Sequence, residues 1–516
     1  MKHKKIIITY ILILLFVVAG ISIFFLTRRQ QEKTTVTIAI PSSDQIQNLD
    51  TNYYTNWLEE KTGYDIKFET IEQGYAKEYL YAMMTAPKSS IDAVFLSDGD
   101  LFTSEEFQEY ADRGLITDVT SYTSDDSNLE QIFEEYQKYG LREKMEQNGC
   151  VYYMPNMDTS RKGQNMQVMW INLGWLKKLE LEVPQTTEEL EDVLTSFKEK
   201  DPNGNGVPDE LPFISCEGEY SQQSYNYLLN AFVYNDPIHG RIDFDESGNL
   251  QFVSQEPSFR EGLSYCARLY EKGLLSNECF DFTKKQICEL VNSQQDMVGA
   301  FTSQSISDVI YQNCPDVLAR FVQMPPLEGK SGEKNAVWVN YEPHIGGYIP
   351  ANSLHKKEAF TIMDLMLSEE ASLISEYGEE EVDWKFSEKG DLSTYGSQAI
   401  VTTINYLKDT LQNKHFAGIG PQVVKAKYIN GVTWSGNHSL VEYIDARAVK
   451  AYEKYYNSSV NSVLMKLSED ELKSYRKYYS EYTDSMILQF ITGGLDVDSD
   501  EAWTQYIKEY HRKAKE

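Results

Sequence analysis

Ten consecutive residues, Asp201-Pro202-Asn203-Gly204-Asn205-Gly206-Val207-Pro208-Asp209-Glu210, put side-chain oxygens at loop positions one, three, five, nine and ten. Gly206 stands at position six, where the backbone must reverse, and the Val207 carbonyl can turn inward at position seven. This is what a hard cation asks for. Calcium takes six to eight oxygen ligands, and a short loop alternating Asp or Asn with small residues can fold them round one point when glycine permits the turn. The helix-loop-helix calcium hand begins the same way but closes with a bidentate Glu at position twelve; here position twelve is Pro212, so Asp209 and Glu210 must close the shell. We read the loop as a structural Ca2+ site with side-chain ligands Asp201, Asn203, Asn205, Asp209 and Glu210, and Val207 through its carbonyl. Magnesium fits less well because it keeps several waters. With no His or Cys, the loop is not a zinc site with an open position. The plain alternative is a Gly/Asn/Pro-rich turn that binds nothing.

No other stretch offers catalysis. The chain has no Gly-x-Ser-x-Gly elbow, no His-Glu-x-x-His pair and no phosphate loop, and its seven His include no i, i+4 pair. Glu379-Glu380-Glu381 could imitate the paired carboxylates of a glycosidase, but such a run is ordinarily a solvated surface. An enzyme is not expected. Against 79 Asp and Glu stand 48 Lys and Arg, and the formal charge of -31 argues against nucleic acid, whose phosphates reward clustered cations. A neutral or cationic ligand meets no such repulsion. Aromatic residues make up 13% of the chain, with 36 Tyr and 7 Trp, and such rings serve sugar or peptide recognition as well as core packing.

The amino terminus sets the compartment. Met1-Lys2-His3-Lys4-Lys5 is followed by Ile6 to Leu26, which holds no charged side chain, and then by Thr27-Arg28-Arg29. At about 1.5 Å per residue the apolar run reaches roughly the 30 Å of a hydrocarbon core. It is longer than a usual signal-peptide core, and Val18-Ala19-Gly20 is a poor cleavage site. An uncleaved N-terminal transmembrane helix is expected, with a linker to residue 35 and an extracytoplasmic body. The six Cys, at 150, 216, 266, 279, 288 and 314, are scattered and show no Cys-x-x-Cys spacing.

Beyond the linker the pattern alternates. Strands are predicted over 37–41, 65–70 and 91–96, with helices over 56–61 and 75–85 between them, which is the grammar of an open α/β sheet with ligand-facing loops at the strand carboxyl ends. A strand over 166–172, a helix beginning at 175, and a helix over 187–200 capped by Thr186 or Thr187 lead into the calcium loop. A helix over 257–272, a strand over 297–301, a Gly-rich hinge over 344–350, a helix over 356–366 and long polar helices after 441 complete the chain.

Several stretches together resemble the extracellular solute-binding proteins of bacterial ABC importers, in the large oligosaccharide-type branch of Gram-positive bacteria. They are Trp57-Leu58-Glu59-Glu60-Lys61-Thr62-Gly63; Leu101-Phe102 with Tyr110-Ala111-Asp112-Arg113-Gly114-Leu115; Trp175-Leu176-Lys177-Lys178-Leu179 with Val183-Pro184-Gln185-Thr186 before the calcium loop; Tyr377-Gly378 with Val382-Asp383-Trp384; and Phe490-Ile491-Thr492-Gly493 with Trp503. The resemblance runs from about Val36 to the end. It implies an α/β, periplasmic-binding-protein-like two-lobed fold of type II, crossed three times and closing on its ligand by hinge motion. The implied division gives 1–35 to the anchor and linker, 36–163 with 299–347 to lobe 1, and 164–298 with 348–516 to lobe 2. The crossings are expected near 160–165, 296–301 and 346–352. Two departures stand out: no Cys precedes Cys150, so the lipidated cysteine of the family is absent, and Asn172 replaces the basic residue that often ends its strand.

Sugar clefts use aromatic faces and carboxylates or amides. The candidate ligand residues are Trp338 and Tyr341 before the proposed hinge, Ser42 and Asp98 at strand ends, Trp434 in Gly431-Val432-Thr433-Trp434-Ser435-Gly436, and Trp384; core packing or helix capping is the alternative for each. The resemblance implies a monomer that captures an oligosaccharide or other small polar ligand for an ABC permease. A ligand sensor for a membrane kinase and a peptide-binding protein remain alternatives.

Overall fold

The computed structural model describes residues 33–513 apart from 98–100, 166, 217–219, 245–246, 248, 279, 339–342, 409, 436–438 and 456–480. The apolar run at 6–26 lies outside them; among the described residues no helix is long and apolar enough to cross a membrane.

Strand β1 (Thr35–Pro41) buries Val36, Ile38, Ala39 and Ile40. Helix α1 (Tyr53–Thr62) starts where the Asn52 side chain accepts the Tyr54 N–H and stops at Gly63, whose φ of 77° an L side chain rarely adopts. It turns Tyr54, Trp57 and Leu58 inward. Strand β2 (Asp65–Ile71), helix α2 (Ala76–Thr85) and strand β3 (Ala93–Phe95) follow, with β1 lying parallel to both β2 and β3. This β-α-β-α-β unit is the one the periodicity predicts.

After β4 (Met154–Met157) the chain leaves this sheet. Strand β5 (Val168–Asn172), buried at every position, becomes the centre of a second sheet. Helix α3 (Thr187–Glu199) packs over it; Thr186 caps the helix by accepting the Glu189 N–H, and Glu189 closes the capping box. Helix α4 (Pro257–Glu271) adds Phe259, Leu263 and Leu269 to the same core. Strands β6 (Ala300–Ser303) and β7 (Phe321–Met324) flank β5 on either side, both antiparallel.

The chain then returns. Strand β8 (His344–Tyr348) inserts antiparallel between β3 and β4, and helix α5 (Lys356–Met366) covers the first core with Ile362 and Met363. A small third sheet, β9 (Trp384–Phe386), β10 (Val401–Thr403) and β12 (Val432–Thr433), is interrupted by β11 (Gln422–Val423), which pairs with β4. The first sheet therefore runs β11-β4-β8-β3-β1-β2 and the second β6-β5-β7. Helices α6 (Ser439–Tyr452), α7 (Glu481–Ile491) and α8 (Asp500–Lys513) add Tyr452, Phe490, Tyr506 and Tyr510 to the second core.

These pairings divide the chain differently from the expected boundaries. Residues 299–347 do not all belong with lobe 1, because β6 and β7 pair with β5 and bury Phe301 and Met324 in its core. Residues 348–516 do not all belong with lobe 2, because α5 and β11 pack in the first core. Hydrophobic periodicity marks a strand as buried without saying which sheet receives it. The Gly-rich segment at 344–350 is likewise an interior strand and not a hinge. A Cβ at Gly346 would come 2.9 Å from the Asn156 nitrogen, and one at Gly347 would come 2.9 Å from the Val94 oxygen. Close strand approach requires glycine there.

Candidate ligand site at the lobe crossings

The chain passes between the two cores from β4 to β5, from β7 to β8, and from β11 through the third sheet to α6. The first passage is where the sequence puts it, near 160–165. The second falls after β7 and not at 296–301, and the third after β11 and not at 346–352. The passages lie side by side. Asn165 bridges Trp338, linking the first to the second. The Thr159 hydroxyl donates to the Val424 oxygen, and the Arg161 N–H donates to Asn430 Oδ1 at 3.0 Å, linking the first to the third.

Beside the first and third passages is a cavity of about 240 Å³. Asp158, Ser160 and Lys162 from the first passage form one wall, and Gln304, Ser305 and Asp308 after β6 form the next. Glu442 and Asp445 of α6 face Tyr395, Lys408 and Trp434 from the third sheet and its loops. The volume falls below the roughly 300–1,000 Å³ that enclose a drug-sized ligand, so it suits a single ring or one end of a longer molecule.

Its polar groups are held firmly. Lys162 Nζ lies 2.7 Å from Asp445 Oδ2. Burial works against the Lys162 charge, but Asp445 and Glu442 outweigh it and raise the pKa. Asp445 also accepts the Ser305 hydroxyl at 2.5 Å and the Ile306 N–H at 3.0 Å, so the carboxylate is amply satisfied. Lys408 Nζ sits 2.7 Å from Glu376 Oε1 and 4.8 Å from the centre of the Trp434 ring. Burial pushes the Glu376 carboxyl up, and Lys408 offsets only part of this. Trp434 and Tyr395 supply apolar faces between these fixed charges, an arrangement able to hold a ring that carries hydroxyls.

Of the described candidate ligand residues, Trp434 is the one that lines this cavity. Trp338 is buried at the second passage. Trp384 is 2% exposed and donates its indole N–H to the Gly378 oxygen at 3.0 Å, a bond that holds the Tyr377-Gly378 turn onto β9. Ser42 is exposed just past the end of β1, its N–H donating to the Ile71 oxygen at 3.1 Å. Asp98 and Tyr341 lie outside the described residues. Sequence reasoning missed Lys162, Tyr395, Lys408, Glu442 and Asp445. Only Lys162 carried a signal, because it falls inside the predicted first crossing.

The loop after α3 draws its oxygens together. Asp201 Oδ1 accepts the N–H groups of Gly204 at 2.9 Å and Asn205 at 3.1 Å, while its Oδ2 accepts that of Gly206 at 3.1 Å. Asp209 Oδ1 accepts the side-chain amides of Asn203 at 3.0 Å and Asn205 at 3.1 Å. Gly206 takes a φ of 76°, as a reversal at position six requires. Among the described residues no group of three or more His, Cys, Asp or Glu stands as a preformed metal cluster; the loop's carboxylates instead serve its own N–H groups. Glu210 is the exception. Its Oε1 is buried without a partner, and burial together with Asp201 and Asp209 pushes its carboxyl up. An orphaned oxygen beside two carboxylates fits a cation better than it fits a bare turn.

Two α/β cores joined by three adjacent passages define the fold of the two-lobed solute-binding proteins. No family model matches the chain. The fructooligosaccharide ABC transporter substrate-binding protein FusA of Streptococcus pneumoniae serotype 4 is 27% identical over 297 residues, 55% of this chain and 51% of that protein. The aligned part thus spans about half the length of the curated relative. The solved structure of an EF-hand mutant of S. pneumoniae FusA with fructo-nystose matches with a TM-score of 0.68 at 20% identity, covering 93% of this chain and 96% of that one. An extracellular solute-binding protein from Bifidobacterium longum subsp. infantis gives 0.71 at 17% identity, covering 93% and 95%. The resemblance read from the sequence is therefore to proteins of the same fold, of which FusA is a substrate-binding protein of an ABC transporter.

Proposed function

We propose that this protein captures a carbohydrate, in particular an oligosaccharide, between its lobes outside the cytoplasmic membrane and delivers it to an ABC permease without chemical turnover. The observation that carries this reading is the cavity at the crossings. There Trp434 and Tyr395 of the third sheet and its loops line the same cavity as Ser160 of the first passage and Gln304, Ser305 and Glu442 of the second lobe, combining ring faces with hydrogen-bonding groups where the passages meet that lobe. A ligand touching both lobes favours the closed state by its differential affinity, so an opening equilibrium of a few kcal/mol suffices for capture. The run at 6–26 serves as a single N-terminal membrane anchor, and the protein works as a monomer.

The test is a thermal-shift and calorimetry screen of the full-length chain in detergent against neutral oligosaccharides, beginning with the fructo-oligosaccharides that FusA binds. We expect one saccharide series to raise the melting temperature and to be recovered unaltered. Released products, or a response to peptides alone, would overturn the reading.

The loop at 201–210 holds a structural calcium ion in this proposal, with Asp201, Asn203, Asn205, Asp209 and Glu210 as side-chain ligands and Val207 through its carbonyl. The ion would neutralise the loop's crowded carboxylates and give the Glu210 oxygen a partner. At calcium about 100-fold above its dissociation constant the gain is about 2.7 kcal/mol. Chelation should remove that gain, and Asp201→Ala should abolish the calcium response while leaving saccharide affinity within about 3-fold, since the loop lines no part of the cavity. Equal melting temperatures in calcium and in chelator would reduce the loop to a turn.

A further inference from the structure

The cavity wall carries Asp158, Lys162, Asp308, Lys408, Glu442 and Asp445. Both lysines are already engaged, Lys162 with Asp445 at 2.7 Å and Lys408 with Glu376 behind the wall at 2.7 Å. Three carboxyl groups are left over. Asp158 accepts the Ser160 N–H at 2.7 Å and the Ser160 hydroxyl at 3.0 Å. Asp308 Oδ2 accepts the Ser305 N–H at 2.7 Å. Glu442, half-buried on α6, takes a hydrogen bond from no described residue. Among the described residues of the wall it is the carboxylate that accepts no hydrogen bond, its charge acting on Lys162 and Lys408, and it lines the cavity together with Trp434 and Tyr395.

Building on the reading of this cavity as the ligand site, we infer that Glu442 determines specificity: it accepts a hydrogen bond from a hydroxyl of an uncharged sugar residue, and the surplus of carboxylates here turns away sugar acids. A uronate carboxylate entering the cavity would meet Asp158, Asp308 and Glu442, while among the described residues of the wall the cations Lys162 and Lys408 are already balanced by Asp445 and Glu376. Breaking a buried pair exposes an uncompensated charge on the side left behind. Like-charge juxtaposition of this kind discriminates by rejecting the wrong ligand more than by tightening on the right one.

The experiment titrates the full-length chain in detergent, by calorimetry, with neutral trisaccharides of the fructo-, malto-, cello-, xylo- and galacto- series and with trimers of galacturonate and mannuronate. Wild type should bind at least one neutral series and prefer it over both uronates by a factor on the order of 100. In Glu442→Gln the acceptor survives without its charge, so neutral affinity should fall less than in Glu442→Leu while the preference over uronates shrinks about 10-fold. In Glu442→Leu the acceptor is gone and neutral affinity should fall about 10-fold or more. Circular dichroism melting of each variant establishes that it is folded. Uronates binding as tightly as neutral sugars, or a Glu442→Gln variant with undiminished preference, would overturn the inference and leave saccharide capture standing. Failure of every saccharide to bind folded wild-type protein would remove both.

Discussion

Trp434→Ala should weaken saccharide binding by about 2 kcal/mol, roughly 30-fold, which is the range of a buried aromatic anchor at a binding site. The ring is 7% exposed. One side lines the cavity; the other packs against Tyr377, with centroids 5.8 Å apart, and edge-on against Tyr406 at 5.7 Å. Truncation therefore has a second effect. Deleting a buried indole costs about 3–5 kcal/mol of stability, and Lys408 also loses the ring it overlies. The two effects separate with Trp434→Phe, which keeps an apolar face for a sugar ring and should lose less than about 5-fold in affinity while giving up part of the packing. Titrations on the folded fraction of each variant check this. An alanine variant that remains folded and binds its saccharide as wild type does would remove Trp434 from the site.

Trp434 also shows where residue type stops being informative. Trp338, Trp384 and Trp434 look alike in the sequence as aromatic residues near glycine-containing loops. Their roles diverge only through packing: Trp384 is buried as the first residue of β9 with its indole N–H bonded to Gly378, Trp338 is buried at a passage, and Trp434 alone of the three lines the cavity. Local signals were read well where local physics decides. Gly63 ends α1, although the helix expected over 56–61 begins earlier, at Tyr53; Thr186 caps α3 in a capping box with Glu189, and the helix predicted at 356–366 has those ends. Topology resisted because a buried strand carries no address. Phe301 and Met324 are apolar for the same reason whichever sheet they enter, and only their pairing with β5 assigns them. The charged half of the site was hidden for a related reason. Lys162 meets Asp445, and Lys408 meets Glu376, across long separations in sequence, so no spacing rule could pair them. The loop proposed to hold calcium could be singled out from sequence because all its proposed ligands fall within ten residues.

Acid should destabilise the protein well before its carboxylates titrate, through His415. This side chain is 5% exposed, its Nδ1 accepts the Ala417 N–H at 3.0 Å, and its Nε2 is buried without a partner. Burial disfavours the imidazolium, Lys408 repels it, and Asp383 only partly compensates, so the pKa is lowered from 6.5 to about 4. Protonating Nδ1 would also turn an acceptor into a donor facing the Ala417 N–H. The unfolded chain thus binds a proton that the folded chain refuses, and the stability this residue contributes is present above pH 6.5 and is lost as pH falls towards 4. A gap of about 2.5 pH units at about 1.36 kcal/mol each gives a loss of roughly 3 kcal/mol across that window. His415→Asn keeps an oxygen in the place of Nδ1 to accept the Ala417 N–H and has nothing to titrate. Urea unfolding at a series of pH values from 7 to 4 should show wild type losing stability more steeply than the variant, with the curves separating below about pH 6.5. The His415 carbonyl accepts the Asn52 side-chain amide of the first core at 3.2 Å and its ring feels the Lys408 charge of the cavity wall, so the loss falls where these two regions meet. Parallel pH profiles for the two proteins would show that His415 is not the acid-sensitive group.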